Sequence, residues 1–195
     1  MILAIDTSGS LGSVALGNSQ GVREETFRGE DGRERHSTTL FAALEKFGLA
    51  DFPLEKIVVG LGPGSFSGIR VALAAAHGLA EPRGVPVVGV RSADSVALQL
   101  AHVTRLGVFA DARRGEYYVT LYAHGVLERP TFLIPREAAE ETASKLTFAV
   151  SADPLPGIPE RCAPRAADFL ALPPAALIAP GANGLEPIYL REAVA

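Results

Sequence analysis

Residues 61–80, LGPGSFSGIRVALAAAHGLA, constrain this chain more than any other stretch. A glycine–proline turn runs directly into an alanine-rich segment of helical period, and residues 57–60 before it read as a buried strand. A strand, a tight glycine corner and a helix form the unit from which α/β folds are built. Such a corner has two readings. Gly62 and Gly64 take backbone angles barred to other residues as the chain turns from sheet to helix. Alternatively, a helix N-terminus near Ser67 offers free N–H groups and partial positive charge to an anion. The loop lacks the Gly-Lys-Ser/Thr ending of a P-loop. Its Gly62, Gly64 and Gly68 also miss the Gly-x-Gly-x-x-Gly spacing of dinucleotide folds. The plain conformational reading is therefore favoured.

The helix that follows carries a stripe of small residues, Gly68, Ala72, Ala76 and Ala80, at four-residue spacing. A stripe without bulk lets another backbone approach closely. It can face the protein's own sheet, the commoner case, or a partner's helix. Leu73 and Leu79 require burial elsewhere.

Upstream, residues 2–5 form a short apolar strand ending at Asp6. A turn through Ser8, Gly9 and Gly12 follows, and strands at 13–16 and 23–27 complete a meander. Residues 29–35 are charged and read as a loop. Residues 34–47 have helical period, with Ser37, Leu40, Phe41, Leu44 and Phe47 on one face. A strand at 85–90 and a helix capped by Ser92 and running to about 101 end the first half. The second half echoes this start. A strand at 108–110 ends at Asp111, a turn follows, and a strand at 117–122 returns. Asp6, Val14 and Leu16 align without gaps onto Asp111, Val119 and Leu121 at an offset of 105 residues. A helix is expected over 135–146 and a short one near 166–172, in a tail rich in Pro, Ala and Gly.

At 195 residues the chain can bury a substantial core as one large domain or two lobes, read here as 1–106 and 107–195. A formal net charge of −4 makes it a poor nucleic-acid binder on its own. The single cysteine, Cys162, excludes an internal disulfide. No apolar run reaches membrane-spanning length and no signal peptide is evident, so a cytoplasmic protein is expected. Candidate chemistry is sparse. His36, His77, His102 and His124 do not share metal-ligand spacing on one element. Of these, His36, next to Ser37 at the start of a helix, is the one placed to act. Ser65 lacks the Gly-x-Ser-x-Gly elbow, because Pro63 stands two residues before it. The turn Asp111-Ala-Arg113-Arg114-Gly-Glu116 packs four charges together, either a solvated turn or a cluster facing a cleft.

Taken in order, ILAIDTS, HS, GPGSFSGIR with its small-residue helix, DARRGEYY and EPIYLR resemble the TsaB (YeaZ) family. That family belongs to the bacterial machinery making threonylcarbamoyladenosine at position 37 of tRNAs that read ANN codons. The resemblance covers residues 1–122 and the last ten, and is thin between. It implies an α/β, duplicated actin/Hsp70/sugar-kinase-like two-lobe fold with a shortened C-terminal lobe, in keeping with the internal echo. In catalytic members of that superfamily, glycine turns after two aspartates cradle ATP phosphates. Here Asp6, Ser8, Gly9, Gly62, Gly64, Ser65, Ser67 and Asp111 would form a vestige of such a site, with Arg113, Arg114 and Glu116 crowding the second turn. The catalytic paralogue TsaD follows the matching strand with two metal-binding histidines. Ser92 and Val96 stand there in this chain, so neither a metal nor any other cofactor is expected.

The resemblance further implies a noncatalytic scaffold that pairs with TsaD through the first two helices and homodimerises when alone. It would work with the ATPase TsaE, and meet tRNA only through the complex. On this reading the interface draws on Leu40, Leu44, Phe47, Ala72, Ala75, Ala76 and Leu79, and Ala76→Arg is expected to weaken association while leaving the fold intact. Two other readings compete. One is an ATP-dependent kinase or hydrolase using Asp6 and Asp111. The other is a peptidase, for which no Ser/His/Asp or metal arrangement is visible in the sequence.

Overall fold

The computed structural model describes residues 1–28, 36–182, 184–188 and 190, with the backbone alone at His36, Ser37 and Asp51. Its centre is a pair of five-stranded mixed sheets of one plan. In the first, β1 (Ile2–Asp6), β2 (Leu11–Asn18), β3 (Gly21–Arg28), β4 (Lys56–Gly60) and β5 (Val87–Val90) lie in the order β3-β2-β1-β4-β5. In the second, β6 (Leu106–Asp111), β7 (Glu116–Ala123), β8 (Val126–Pro135), β9 (Phe148–Ser151) and β10 (Glu160–Arg161) lie as β10-β9-β6-β7-β8. Read from its other edge, the second order repeats the first. Each sheet has an antiparallel meander on one side and two parallel strands on the other.

The helices are α1 (His36–Glu45), α2 (Phe66–Ala80), α3 (Ser92–Gln99), α4 (Ala139–Ser144) and α5 (Ala166–Phe169). In the first half, α1 and α2 cover one face of the sheet. Leu3, Ile5, Val14, Leu16, Ile57 and Val59 from the strands meet Leu40, Leu44, Phe47, Ile69 and Ala72 there. In the second half α4 covers the equivalent face. Only residues 152–159 connect β9 to β10, where the first half inserts the fifteen residues of α2 between β4 and β5. This missing helix is where the second lobe is shortened.

The helix that closes each half crosses to the other half's sheet. Ala93, Val96 and Ala97 of α3 pack on Leu106, Val108, Tyr122 and Val150. Ala166 and Phe169 of α5 pack on Ala4, Ala15, Val58 and Val90. Polar bonds fix the second crossing. Ser13 Oγ accepts from the Ala166 N–H, Glu24 accepts from the Ala167 N–H and the Arg165 guanidinium, and Ser95 Oγ donates to Asp168. Further along, Ile188 N–H donates to Leu61 O, and Leu185 enters the first core. The division at 106/107 falls one residue inside β6, and residues 166–188 return to the first sheet.

Several expectations need correction. Strands β8, β9 and β10 carry no expectation from sequence, and the helix over 135–146 is a strand end, a 3-10 turn and the six-residue α4. The gap-free offset of 105 holds for the returning strand only. Ile5 pairs with Val14 and Phe109 with Val119, so the second strand repeats at 105 residues but the first at 104. Side chains alternate faces along a strand, so one residue of slip reverses the face. Ala110, not Asp111, occupies the place of Asp6. The EPIYLR match is only partly described, since Tyr189 and Arg191 lie outside the described residues.

Because Phe169 is fully buried on the first sheet, Phe169→Ala should cost about 3–5 kcal/mol in urea unfolding, the usual loss for a large core side chain. A loss below about 1 kcal/mol would mean that the C-terminal segment is not part of the first core.

Candidate functional site: the cleft between the sheets

The β1–β2 turn, the β4–α2 loop, the end of β6 and the residues after β9 enclose a cleft of about 770 Å³. It opens at the carboxyl ends of the parallel strands, where open α/β sheets hold ligands. Both halves supply its walls, including Ser8, Gly64, Ser65, Ser67 and Arg70 from the first, and Phe109, Asp111, Arg113, Arg114, Asp153 and Cys162 from the second.

Asp6 is not on the wall. It is fully buried and both carboxylate oxygens are taken. Oδ1 accepts from the Ser8 N–H at 3.0 Å and the Ser8 hydroxyl at 2.7 Å, and Oδ2 accepts from the Ser92 hydroxyl at 2.5 Å. Ser8 and Ser92 stand between it and the cleft, which they line. Burial raises the Asp6 carboxyl above its ordinary value, and the hydrogen bonds from Ser92 and Ser8 only partly oppose this. The seal depends on Gly60, since a Cβ there would run into the Asp6 carboxylate and, at 2.6 Å, the Ser92 hydroxyl. Ser92 therefore does not cap α3 as expected. Its hydroxyl instead links Asp6 to the Gly62 N–H, and its own N–H donates to Gly62 O. Val96, at the other metal-ligand position, packs in the core under α3.

The glycine corner is equally closed. Gly62 lies at φ +88°, and Cβ atoms at Gly64 and Gly68 would strike the Ser8 and Thr7 carbonyls. The β1–β2 turn fills the space in front of α2. Ser65 N–H donates to Ser8 O at 2.7 Å, and Thr7 Oγ1 donates to Gly68 O at 2.7 Å. The cap of α2 is Ser65, whose Oγ accepts from the Gly68 N–H, while Ser67 is exposed in the first turn. The glycines are there because two backbones touch.

Asp111 lies on the cleft wall and is part of an ion-pair network with Arg113 and Arg136. Its Oδ1 also accepts from the Arg113 N–H. Gly9 lies beside Ala152 and Asp153, and Asp153 accepts from the Ser10 N–H across the two halves. Cys162 is half-buried and its thiol is pushed up, chiefly by burial and then by Asp168, the reverse of activation. The His36 and Ser37 reading falls on side chains outside the described residues.

Six of the seven residues assigned to an interface face inward. Leu40, Leu44, Phe47, Ala72, Ala75 and Ala76 are buried in the first core, and Leu79 is half-buried against it. The small-residue stripe serves close packing of α2 on its own sheet. Ala76→Arg would therefore damage the fold, contrary to the expectation from sequence. The outward faces of α1 and α2 present Thr38, Phe41, Ala42, Arg70, Ala74, His77 and Gly78 instead. Helical period alone did not show which side of α2 was outward, because its alanines fall on both.

The family model for TsaD, tRNA N6-adenosine threonylcarbamoyltransferase, matches residues 30–165. TsaB of Bacillus subtilis, a tRNA threonylcarbamoyladenosine biosynthesis protein, is 35% identical over 66% of this chain and 58% of its own length. The chain belongs to the TsaB/YeaZ family. An uncharacterised protein of Mycobacterium tuberculosis is 32% identical over 82% of this chain and 74% of its own. The solved structure of YeaZ from Pseudomonas aeruginosa superposes with a TM-score of 0.66 at 25% identity, covering 88% of this chain and 89% of that one. The match to B. subtilis TsaB thus spans a little over half of that protein.

The sealed carboxylate has a measurable signature. A raised folded-state pKa means that ionising Asp6 opposes folding. Its contribution is most favourable below the ordinary value of 3.8 and is lost as pH rises through the raised value. Asp6→Asn keeps an acceptor for Ser8, puts an N–H donor where an oxygen accepted from Ser92, and removes the charge. In urea unfolding at a series of pH values, the variant should gain on the wild type as pH rises above the ordinary value of 3.8. Parallel stability curves would show that Asp6 is not a buried carboxyl of this kind.

Proposed function

We propose that this chain is a noncatalytic subunit in tRNA threonylcarbamoyladenosine formation, docking onto the catalytic paralogue TsaD through the outer faces of α1 and α2. Kinship with proteins named TsaB supports the process. The observation that carries the noncatalytic reading is the sealed Asp6, with no accessible surface and both oxygens satisfied from within the chain. An aspartate in that state offers no lone pair to a substrate, metal or water in the cleft. The competing ATP-dependent reading needs Asp6 and Asp111 to act as a pair, yet they occupy non-equivalent positions and only Asp111 reaches the cleft. For the peptidase reading, Ser65 is already engaged as a helix cap.

The docking face follows from what α1 and α2 leave exposed. Phe41 is 50% exposed beside Ala42, and α1 packs along α2. Ala74 is exposed on α2, and a Cβ at Gly78 would meet open space. Small residues beside one large aromatic suit close crossing by a partner's helices, with the aromatic as anchor. The same face would serve a homodimer when TsaD is absent, with TsaE joining the larger complex and tRNA reached only through it.

Two substitutions separate docking from folding. Ala74→Arg should leave thermal unfolding within a few degrees of wild type yet weaken co-purification with the cognate TsaD about tenfold or more, because a charge is buried unpaired at an interface. Ala76→Arg, inside the core, should instead lose roughly 3 kcal/mol or more of stability. Undiminished assembly and tRNA modification with Ala74→Arg would rule out this face.

A further inference from the structure

We propose that the cleft between the sheets is a binding site for a small organic anion, held by Arg70 on one half and Arg114 on the other. The inference goes beyond the docking role: Arg70 lies on the outward side of α2 and also lines the cleft, and Arg114 belongs to the second half. A cleft of about 770 Å³ is within the range of small-molecule sites, roughly 300–1,000 Å³. Its floor is apolar, with Ile69, Val96, Val108, Phe109 and Leu155 among its lining residues. It therefore suits a ligand with an apolar or aromatic body.

The charges on the wall do not cancel. Arg70, Arg113 and Arg114 stand in the lining against two carboxylates, Asp111, paired with Arg113 and Arg136, and Asp153, whose Oδ1 accepts from the Ser10 N–H. Arg113 is committed to Asp111. Arg70 and Arg114 have no acidic partner among the described residues. Arg70 lies 3.9 Å from the centroid of the Phe66 ring, itself 51% exposed. Stacking on the ring holds this guanidinium at the rim while leaving its N–H groups free for an anion.

The turn that presents Arg114 is unusual. Arg113, Arg114 and Gly115 are all left-handed, at φ 62°, 53° and 78°. A non-glycine residue in that region costs free energy, and two in succession are uncommon. The conformation is held by Ala112 N–H to Glu116 O, Glu116 N–H to Arg113 O, and Arg136 N–H to Gly115 O. The tip could be met by glycine or asparagine, and instead carries the Arg114 guanidinium to the cleft.

The ligand is an apolar body bearing one phosphate or carboxylate. The charged end is read at the rim by the arginines, not at the glycine corner, because the Ser8 carbonyl already takes the Ser65 N–H. A ligand gripped from both halves would also hold the two sheets at one separation.

Titration calorimetry on the full chain tests this with three probes: phenyl phosphate, inorganic phosphate and phenol. Phenyl phosphate should bind saturably, one per chain, about fivefold or more tighter than either fragment, and weaken with added salt. Arg70→Ala and Arg114→Asn, the latter chosen because asparagine tolerates the left-handed turn, should each weaken it about fivefold or more. Arg129→Ala, outside the cleft lining, should leave it unchanged. Circular dichroism should show wild-type folding for all three, since each arginine is exposed. Wild-type affinity in both cleft variants, equal weakening by Arg129→Ala, or no saturable binding of phenyl phosphate would each overturn the proposal. Benzoate in place of phenyl phosphate distinguishes carboxylate from phosphate ligands, the tighter of the two naming the class.

Discussion

A buried carboxylate at the end of the first strand organises this molecule. Asp6 collects two bonds from Ser8 and one from Ser92, and through the Ser92 hydroxyl it reaches the Gly62 amide. Four segments meet there: the end of β1, the turn after it, the glycine corner before α2, and the start of α3. A charge so placed is costly to desolvate, and its raised pKa records that cost. Removing a hydroxyl donor would leave the carboxylate unsatisfied, which costs more than the bond contributes. The node tolerates no side chain at Gly60 and forces Gly64 and Gly68 against the β1–β2 turn. The seal on the carboxylate and the closure of the glycine corner are thus one packing solution.

The exchange of closing helices explains how two small sheets make a single body. Neither sheet could bury both faces with its own half alone. The second half lacks a counterpart of α2, and α5 is only four residues long. The face of the second sheet opposite α4 is covered by α3, and the face of the first opposite α1 and α2 by α5. The two crossing helices also bond to each other through Ser95 and Asp168, and Gln99 donates to Ala163 O. Arg165 donates through Nε and Nη2 to one oxygen of Glu24, a pair that positions α5 more than it stabilises the fold. The cleft walls are therefore set by contacts distant from the cleft.

Much of the first half was legible in the chain. The meander, the alternation of helix and strand after it, and the glycine corner all carry local signals: apolar runs, turn residues and a 3.6-residue period. The second half was less so. Strand β8 (VLERPTFLIP) contains two prolines and mostly exposed residues, which masks its strand character, and β10 is only two residues long. The repeat was visible in Asp6 and Asp111, but the pairing of Ile5 with Val14 and of Phe109 with Val119 makes those aspartates non-equivalent. A one-residue difference in register leaves almost no trace in an alignment of short strands, yet it reverses which face a side chain occupies.

The class of fold, its duplication and the kinship can be read from the order of residues, because these rest on periodicity and on motifs whose spacing survives in one dimension. That order also shows that the loop before α2 is no phosphate loop of known spacing. The direction in which α2 faces came from packing alone, and with it that Ala72 and Ala76 are core while Ala74 and Gly78 are surface. Packing alone also placed Ser92 on Asp6 and brought Arg70 and Arg114, which have no acidic partner among the described residues, into the lining of one cleft. The physical reason is common to all of these. An alanine helix looks alike from every side, and whether a hydroxyl or a guanidinium finds a partner depends on residues tens of positions away brought near by packing.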